Sequence, residues 1–150
     1  MNTNTLKQIR EKTGAGVMEI KKALDEANGD VARAEEIIKV RGVEIAAKKS
    51  ERATSQGLID TYIHLGKIGV LVELNCETDF VARNDDFKKF AHEVSLQVAS
   101  SEAKDVNGLL KEPYFKDESK TIQDLLTDVI AKTGENIKIK RFVKFVLGEE

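Results

Sequence analysis

The chain has few of the residues from which metal sites and disulfide frameworks are built. It contains no tryptophan, one proline, one cysteine and two histidines among its 150 residues. A single cysteine excludes an internal disulfide and a cysteine-rich zinc site, and so few thiol and imidazole groups leave few ways to hold a transition metal. The lack of tryptophan and the single proline also argue against an aromatic carbohydrate site and a proline-rich linker. We expect no metal and no cofactor.

Long apolar runs and a strong charge of one sign are also missing. No stretch approaches the ~20 apolar residues that a membrane-spanning helix needs. The first ten residues lack the apolar segment of a secretion signal. The formal net charge is −2 and the pI is about 5.8, whereas general nucleic-acid binders are usually basic. We therefore expect an intracellular, soluble protein that binds neither nucleic acid directly nor a membrane.

The first 42 residues are predicted to form three short helices. Their expected boundaries are a capping box of Thr5 and Gln8, breaks at Thr13–Gly16 and Asn28–Gly29, an N-cap at Asp30 and a stop at Gly42. Three short helices with small apolar faces resemble a ubiquitin-associated (UBA-like) bundle. Residues 43–54 are rich in alanine and lysine and are predicted to add a helical linker to a second domain, the alternative being a solvated linker.

From residue 55 onwards the apolar pattern alternates, which is typical of strands. A strand is predicted over residues 58–64, followed by a two-residue hairpin turn at Gly66–Lys67 with glycine in its first central position. The next strand, Ile68–Cys76, places its apolar residues on one face. A last strand is predicted over residues 137–147. These strands predict a small antiparallel sheet.

Two amphipathic helices are predicted to pack on that sheet. One is capped by Asn84, and the other begins with a capping box of Thr121 and Asp124 and ends at Gly134. Residues 100–118 are expected to be polar and irregular. Residues 55–150 are thus predicted to form an α+β core, which makes the fold class α+β with an N-terminal three-helix bundle.

No catalytic constellation is recognisable in the sequence. Gly14-Ala15-Gly16 follows a helix and lacks the ending of a phosphate-binding loop, so a turn between helices is favoured. His64 and His92 are interpreted as structural or solvent-facing. Cys76 is interpreted as a small buried hydrophobe, because the local pattern places no base beside it. We expect no enzyme with its own covalent chemistry.

The stretch Asn75–Asn84 is the most informative part of the chain. It joins a buried strand to an amphipathic helix and contains a large aromatic residue, Phe80, beside a carboxylate, Asp79. In one reading Phe80 folds back under the helix and Asp79 caps a turn. In the other, the acidic and aromatic pair is presented to a partner as an anchor. Physical reasoning from the residues leaves both open.

Three segments resemble the elongation factor Ts family of bacterial type. They are Leu6–Leu24, Asn75–Ala82, and Gly134–Ile137 followed by Arg141-Phe142. The resemblance implies a guanine-nucleotide exchange factor that acts on elongation factor Tu in the bacterial cytoplasm and has no nucleotide site of its own. It also implies the partner-binding residues: Thr78, Asp79, Phe80 and Val81 near the magnesium site of Tu, and Arg10, Val17, Met18, Lys21 and Gly134 for docking on its G domain.

The chain departs from fuller relatives in one place. Long helical segments, which in relatives separate the helix ending near Ala99 from Pro113-Tyr114-Phe115, are reduced here to about a dozen polar residues. Those segments carry further Tu contacts or a homodimer surface in relatives, so the short core argues against a homodimer. Three other functions stay open: a module that binds a peptide or ubiquitin, a partner that stabilises nucleotide-free Tu, and a small hydrolase using Cys76.

Overall fold

The computed structural model describes residues 2–149 and contains seven helices and five strands within that range. In chain order they are α1 (Thr3–Thr13), α2 (Val17–Glu26), α3 (Val31–Lys49), β1 (Gln56–His64), β2 (Ile68–Cys76), α4 (Asp79–Ala82), α5 (Asp85–Ser100), α6 (Val106–Lys111), β3 (Pro113–Tyr114), β4 (Asp117–Thr121), α7 (Ile122–Thr133) and β5 (Lys138–Val146). None of the described helices combines the length and apolarity that crossing a membrane requires. The predicted α+β class is confirmed.

Helices α1 to α3 pack around a small apolar cluster of their own. Ile9, Ile20 and Ala34 are each fully buried there, one from each helix. The predicted N-cap at Asp30 is confirmed, since its carboxylate accepts a hydrogen bond from the backbone N–H of Arg33 at 3.1 Å. Gly14 ends α1 with φ of 70°, a left-handed conformation that favours glycine. The three-helix arrangement therefore follows from short apolar stripes and well-placed caps.

Two predicted helix boundaries in this region are wrong. The first helix is capped by Asn2, whose side chain accepts from the N–H of Asn4, and not by the expected box of Thr5 and Gln8. The third helix continues through Gly42 to Lys49. Gly42 is buried, and a β-carbon there would lie 3.8 Å from side-chain carbons of α7. Since 3.8 Å is an ordinary van der Waals distance, Gly42 simply lies in the interface between α3 and α7 and does not end the helix.

The larger sheet has the strand order β1-β2-β5, with both neighbouring pairs antiparallel. Val70, Val72, Leu74 and Cys76 of the central strand point to the buried face, as their alternation predicts. The turn between β1 and β2 differs from the prediction. Leu65 and Gly66 both have positive φ, 52° and 68°, so glycine occupies the second central position. This is the pattern of a type I′ turn, whose twist matches that of the strands.

The buried face of the sheet is covered mainly by α5, and α7 packs on α5 in the same core. The fully or nearly buried residues of these helices include Phe87, Phe90, Ala91, Val94, Val98, Ile122, Leu126, Val129 and Ile130. Asn84 caps α5, and Thr121 with Asp124 forms the predicted capping box of α7. The opposite face of the sheet is exposed and carries apolar residues such as Phe145. The main core therefore lies between one sheet face and two helices.

The prediction that residues 100–118 are irregular is wrong. This segment contains α6 and most of the short hairpin formed by β3 and β4. Buried Leu109 anchors α6 to the main core. The side-chain amide of Gln97 donates to the carbonyl of Pro113 at 3.1 Å, and its oxygen accepts from the N–H of Phe115 at 3.0 Å. Tertiary hydrogen bonds thus order a segment with few apolar residues.

The bundle and the core meet along α7. A β-carbon on Gly14 would lie 2.0 Å from the Cε of Lys132, so the turn between α1 and α2 sits directly against the last turn of α7. At the end of α3, the ammonium group of Lys49 donates a hydrogen bond to the carbonyl of Gly134. The end of α7 therefore contacts both the turn between α1 and α2 and the end of α3.

Gly57 is predicted to be indispensable to the pairing of β1 with β2. Its φ is 152°, and a β-carbon there would lie 2.0 Å from the carbonyl oxygen of Leu74. Gly57→Ala should lower the free energy of unfolding by about 2 kcal/mol or more, because the strands must separate locally. Gly69→Ala is the matched control, since a β-carbon at Gly69 meets no atom within 4 Å. Urea unfolding followed by circular dichroism would compare them, and equal losses would contradict the prediction.

Candidate partner-binding site

A tight turn carries the chain from the central strand to helix α5. Thr78 caps the one-turn helix α4, and its side-chain oxygen accepts a hydrogen bond from the N–H of Val81 at 3.3 Å. Val81 is 9% exposed and packs into the main core. Because one side of this short helix is anchored inwards by Val81, the neighbouring Phe80 projects outwards. Its side chain is 76% exposed.

The surroundings of Phe80 are charged and open to solvent. Asp79 and Arg83 form an ion pair at 3.2 Å, and both side chains are more than half exposed. The guanidinium carbon of Arg83 lies 5.7 Å from the centre of the Phe80 ring. The reading in which Phe80 folds back under the helix is therefore wrong, and Thr78 rather than Asp79 caps the turn. Phe80 is thus an exposed aromatic residue that lies between the negative charge of Asp79 and the positive charge of Arg83.

Glu135 holds the start of this turn from the side of α7. One carboxylate oxygen accepts hydrogen bonds from the N–H groups of Glu77 at 3.1 Å and Thr78 at 3.0 Å. The other accepts from the hydroxyl of Thr78 at 2.6 Å. Three donors on one ionised carboxylate are charge-assisted bonds, which are stronger than neutral ones. The end of α7 thus fixes the two residues from which α4 begins.

A second set of hydrogen bonds has its acceptor on the α4 side and its donor at the end of α7. The carboxylate of Glu77 accepts from the N–H of Asn136 at 2.7 Å and lies 3.7 Å from the guanidinium of Arg52. The side-chain amide of buried Asn136 donates to the carbonyls of Ser50 and Arg52, at 3.3 Å and 2.7 Å. The end of α7, the start of α4 and the segment after α3 are therefore joined by one polar network.

Four of the five residues expected to dock on a G domain lie on the bundle, and the fifth, Gly134, ends α7. Met18 and Val17 are 66% and 40% exposed at the start of α2, and Arg10 is exposed near the end of α1. Lys21 is half-buried one turn further along α2. The apolar residues of α2 that are buried, Ile20, Ala23 and Leu24, all come later in the helix. An apolar pair at a helix start is thus left open to solvent.

The structure brings together the segments that carry the predicted partner-binding residues. Gly134 immediately precedes Glu135 and so lies beside the Thr78 turn. Lys132, two residues earlier, packs against Gly14 in the turn that leads to Val17 and Met18. The roles of Glu77, Glu135 and Asn136 were missed. Their hydrogen bonds join residues more than fifty positions apart, which no local pattern reveals.

The single thiol is not available as a nucleophile in the folded chain. Cys76 is fully buried, and its S–H donates to the carbonyl of Thr78 at 3.1 Å. Burial, together with the nearby charge of Glu135, raises the pKa of the Cys76 thiol to about 11. Within residues 2–149 no group of three or more histidine, cysteine or acidic side chains is placed to hold a metal ion.

Comparison with known proteins shows the family. The elongation factor Ts of Coprothermobacter proteolyticus is 43% identical to the chain over 195 residues, covering 99% of both proteins. The elongation factor Ts proteins of an Anaeromyxobacter and a Thermoanaerobacter species are each 40% identical, covering 99% of this chain and 89% and 96% of the relatives. The chain belongs to the elongation factor Ts family. A family model described as elongation factor TS also matches residues 77–150.

Membership in the elongation factor Ts family assigns the chain a role in translation elongation and confirms the resemblance seen in the sequence. The region that the family model matches begins at Glu77 and contains the α4 turn and Glu135. The relatives extend the similarity over the bundle. The alignments run over 195 residues whereas the chain has 150, so at least 45 residues of each relative lie opposite gaps. The chain is a short member of the family.

Thiol labelling would test whether Cys76 can act as a nucleophile. At pH 8 a thiol with a pKa of about 11 is ionised in roughly one molecule in a thousand, and the fold also blocks access to it. We expect a disulfide reagent to label the native protein at least a hundredfold more slowly than the protein unfolded in urea. Rapid native labelling would contradict the buried position and reopen the hydrolase interpretation.

Proposed function

We propose that the protein is a guanine-nucleotide exchange factor that binds elongation factor Tu carrying GDP and promotes GDP release. The observation that carries the proposal is the exposed Phe80, held on a turn that Thr78 and Val81 anchor. A large aromatic side chain, 76% exposed on an anchored turn, is the kind of residue that serves as an anchor in protein interfaces. Membership in a family of elongation factors supplies the class of partner.

The energetics of exchange follow from linkage between two ligands of Tu. If the factor binds best to Tu with a distorted nucleotide site, GDP must bind the factor–Tu complex more weakly by the same free energy. A thousandfold acceleration of GDP release asks for roughly 4 kcal/mol of barrier lowering. A few well-buried interface side chains supply an amount of that size. No covalent step by this chain is needed.

In this mechanism the Thr78–Val81 turn meets Tu beside its magnesium ion. Phe80 inserts between elements of the G domain, and Asp79 engages polar groups next to it. Insertion displaces the segment of Tu that holds magnesium through its water ligands. The phosphate charges of GDP are then less neutralised, which weakens GDP binding. Thr78 and Val81 hold the turn in place, Thr78 as its N-cap and Val81 through its buried side chain.

The bundle supplies a second contact in this proposal. Val17 and Met18 present an apolar surface at the start of α2, with Arg10 and Lys21 as its charged neighbours. We place this surface on a helix of the G domain. Contacts that are equal in GDP-bound and nucleotide-free Tu raise affinity without changing GDP release. Docking through the bundle and displacement through Phe80 are therefore separable roles.

Phe80→Ala is predicted to reduce the maximal rate of GDP release at least tenfold while leaving the fold intact. The side chain contributes little to the core, so the thermal midpoint should move by less than about 2 °C. Stopped-flow release of a fluorescent GDP analogue from Tu, with magnesium present and the factor titrated in, measures the rate. Phe145→Ala is the matched control, because Phe145 is similarly exposed, at 73%, on the outer sheet face.

Two outcomes would count against the proposal. If folded wild-type protein binds Tu without accelerating GDP release, the protein is a binding or stabilising partner rather than an exchange factor. If Phe80→Ala and Phe145→Ala reduce the rate equally, the effect does not come from insertion at the nucleotide site.

Met18→Ala is predicted to change affinity rather than the maximal rate. The concentration of factor that gives half-maximal acceleration should rise several-fold, because an apolar docking contact is lost, while the rate at saturation stays within twofold of wild type. The same titration measures both quantities. Val40→Ala is the control, since Val40 is 52% exposed on α3 and belongs to no proposed contact. A lower saturating rate for Met18→Ala would show that docking and displacement are coupled.

A further inference from the structure

The end of the central strand creates a local problem that Glu135 solves. Strand β2 ends at the fully buried Cys76, and the next two residues turn out of the sheet. Their N–H groups no longer have a strand partner, and both donate to one oxygen of Glu135, at 3.1 Å and 3.0 Å. Backbone donors that leave a sheet in a partly buried place need an acceptor. A carboxylate supplied by the end of α7 meets that need.

The second oxygen of Glu135 controls the cap of α4. The hydroxyl of Thr78 has a single proton, which it donates to Glu135 at 2.6 Å. Its oxygen therefore keeps a lone pair for the N–H of Val81, the bond that starts α4. The orientation of the short helix, and with it the direction of Phe80, depends on a carboxylate 55 residues away in the sequence.

The other contact near Phe80 is too weak to set its direction. The ion pair between Asp79 and Arg83 is exposed at 61% and 68%. Such surface pairs are screened by water and salt and contribute little to order. A helix of four residues also cannot maintain itself by its own hydrogen bonds. The bonds from Glu135 and the buried side chain of Val81 are stronger constraints on the turn.

We propose that Glu135 is a positioning residue for nucleotide exchange, holding the Thr78–Ala82 turn so that Phe80 points at the partner. The inference rests on the proposed function, since it concerns the step that Phe80 performs. The Glu135 carboxylate faces Thr78, so it affects exchange only by holding the turn that carries Phe80. Asn136, which follows Glu135 in the chain, returns a hydrogen bond to Glu77, so the turn is held from two sides.

A double-mutant cycle tests the proposal. Glu135→Gln keeps the shape of the side chain but places an amide among three donors. We expect a tenfold lower saturating rate of GDP release from Tu in the wild-type background, and less than a threefold further loss in a Phe80→Ala background. A merely structural role would reduce the rate by the same factor in both backgrounds. Glu93→Gln is the control, because Glu93 accepts comparable bonds from Tyr114 and Lys116, at 2.6 Å and 2.8 Å.

Hydrogen–deuterium exchange on the free protein provides a readout that does not require Tu. In Glu135→Gln the amides of residues 77–83 should exchange at least tenfold faster, while those of α5 keep their wild-type rates. Glu135→Asp, which keeps the charge but shortens the reach, replaces it if Glu135→Gln does not fold. Unchanged amides in residues 77–83 would overturn the positioning role.

The two proposals fail in different ways. Wild-type protein without exchange activity, but with faster amide exchange confined to residues 77–83 of the variant, removes the proposed function and leaves Glu135 as the residue that orders the turn. Active wild-type protein sensitive to Phe80→Ala, but with Glu135→Gln and Glu93→Gln equally active, overturns the inference about Glu135 alone.

Discussion

Burial of the central strand up to its last residue is the constraint on which the rest of the structure depends. Leu74 and Cys76 are both fully buried against the helices, so the chain can only leave the sheet abruptly after them. After this abrupt exit, the N–H groups of Glu77 and Thr78 have no partner in the sheet. Only one helical turn, α4, fits between them and α5. Val81 lies on the inside of that turn, and Phe80, about 100° around the helix from it, faces solvent. The short turn after β2 thus carries one anchored and one exposed apolar side chain.

Placing a carboxylate at the end of α7 has an electrostatic cost. The C-terminus of a helix carries partial negative charge, which disfavours an anion there. Lys132 lies in the last turn of α7, and the ammonium group of Lys49 bonds the carbonyl of Gly134, so two cations offset this effect beside Glu135. The same lysines lie where the bundle meets the core. The contacts that orient the bundle therefore also stabilise the charge that holds the α4 turn.

Sequence reasoning predicted most elements because their signals are local. The alternation from Ile68 to Cys76 and the caps at Asn84 and Thr121 each depend on residues a few positions apart. Gly42 was misread as a helix end because a glycine can also lie within a helix, and here it faces α7 in the packed interior. The hairpin of β3 and β4 was missed because hydrogen bonds to Gln97, rather than apolar periodicity, order it. The role of the Glu135 carboxylate was not predicted for the same reason, since its hydrogen-bond partners are distant in the sequence.

In the proposed exchange mechanism, order at Phe80 matters because GDP release requires the factor to bind the two states of its partner differently. A mobile aromatic side chain would lose conformational entropy on insertion, and that loss would be subtracted from the free energy available to distort the nucleotide site. A turn that is already held in the free protein avoids most of this loss. In the proposed mechanism the bundle, by contrast, gains nothing from discriminating between nucleotide states, since its contacts would serve residence on the partner. The exposed pair at the start of α2 and the single fixed phenylalanine on α4 fit that division: broad apolar contact for affinity, one preorganised residue for displacement.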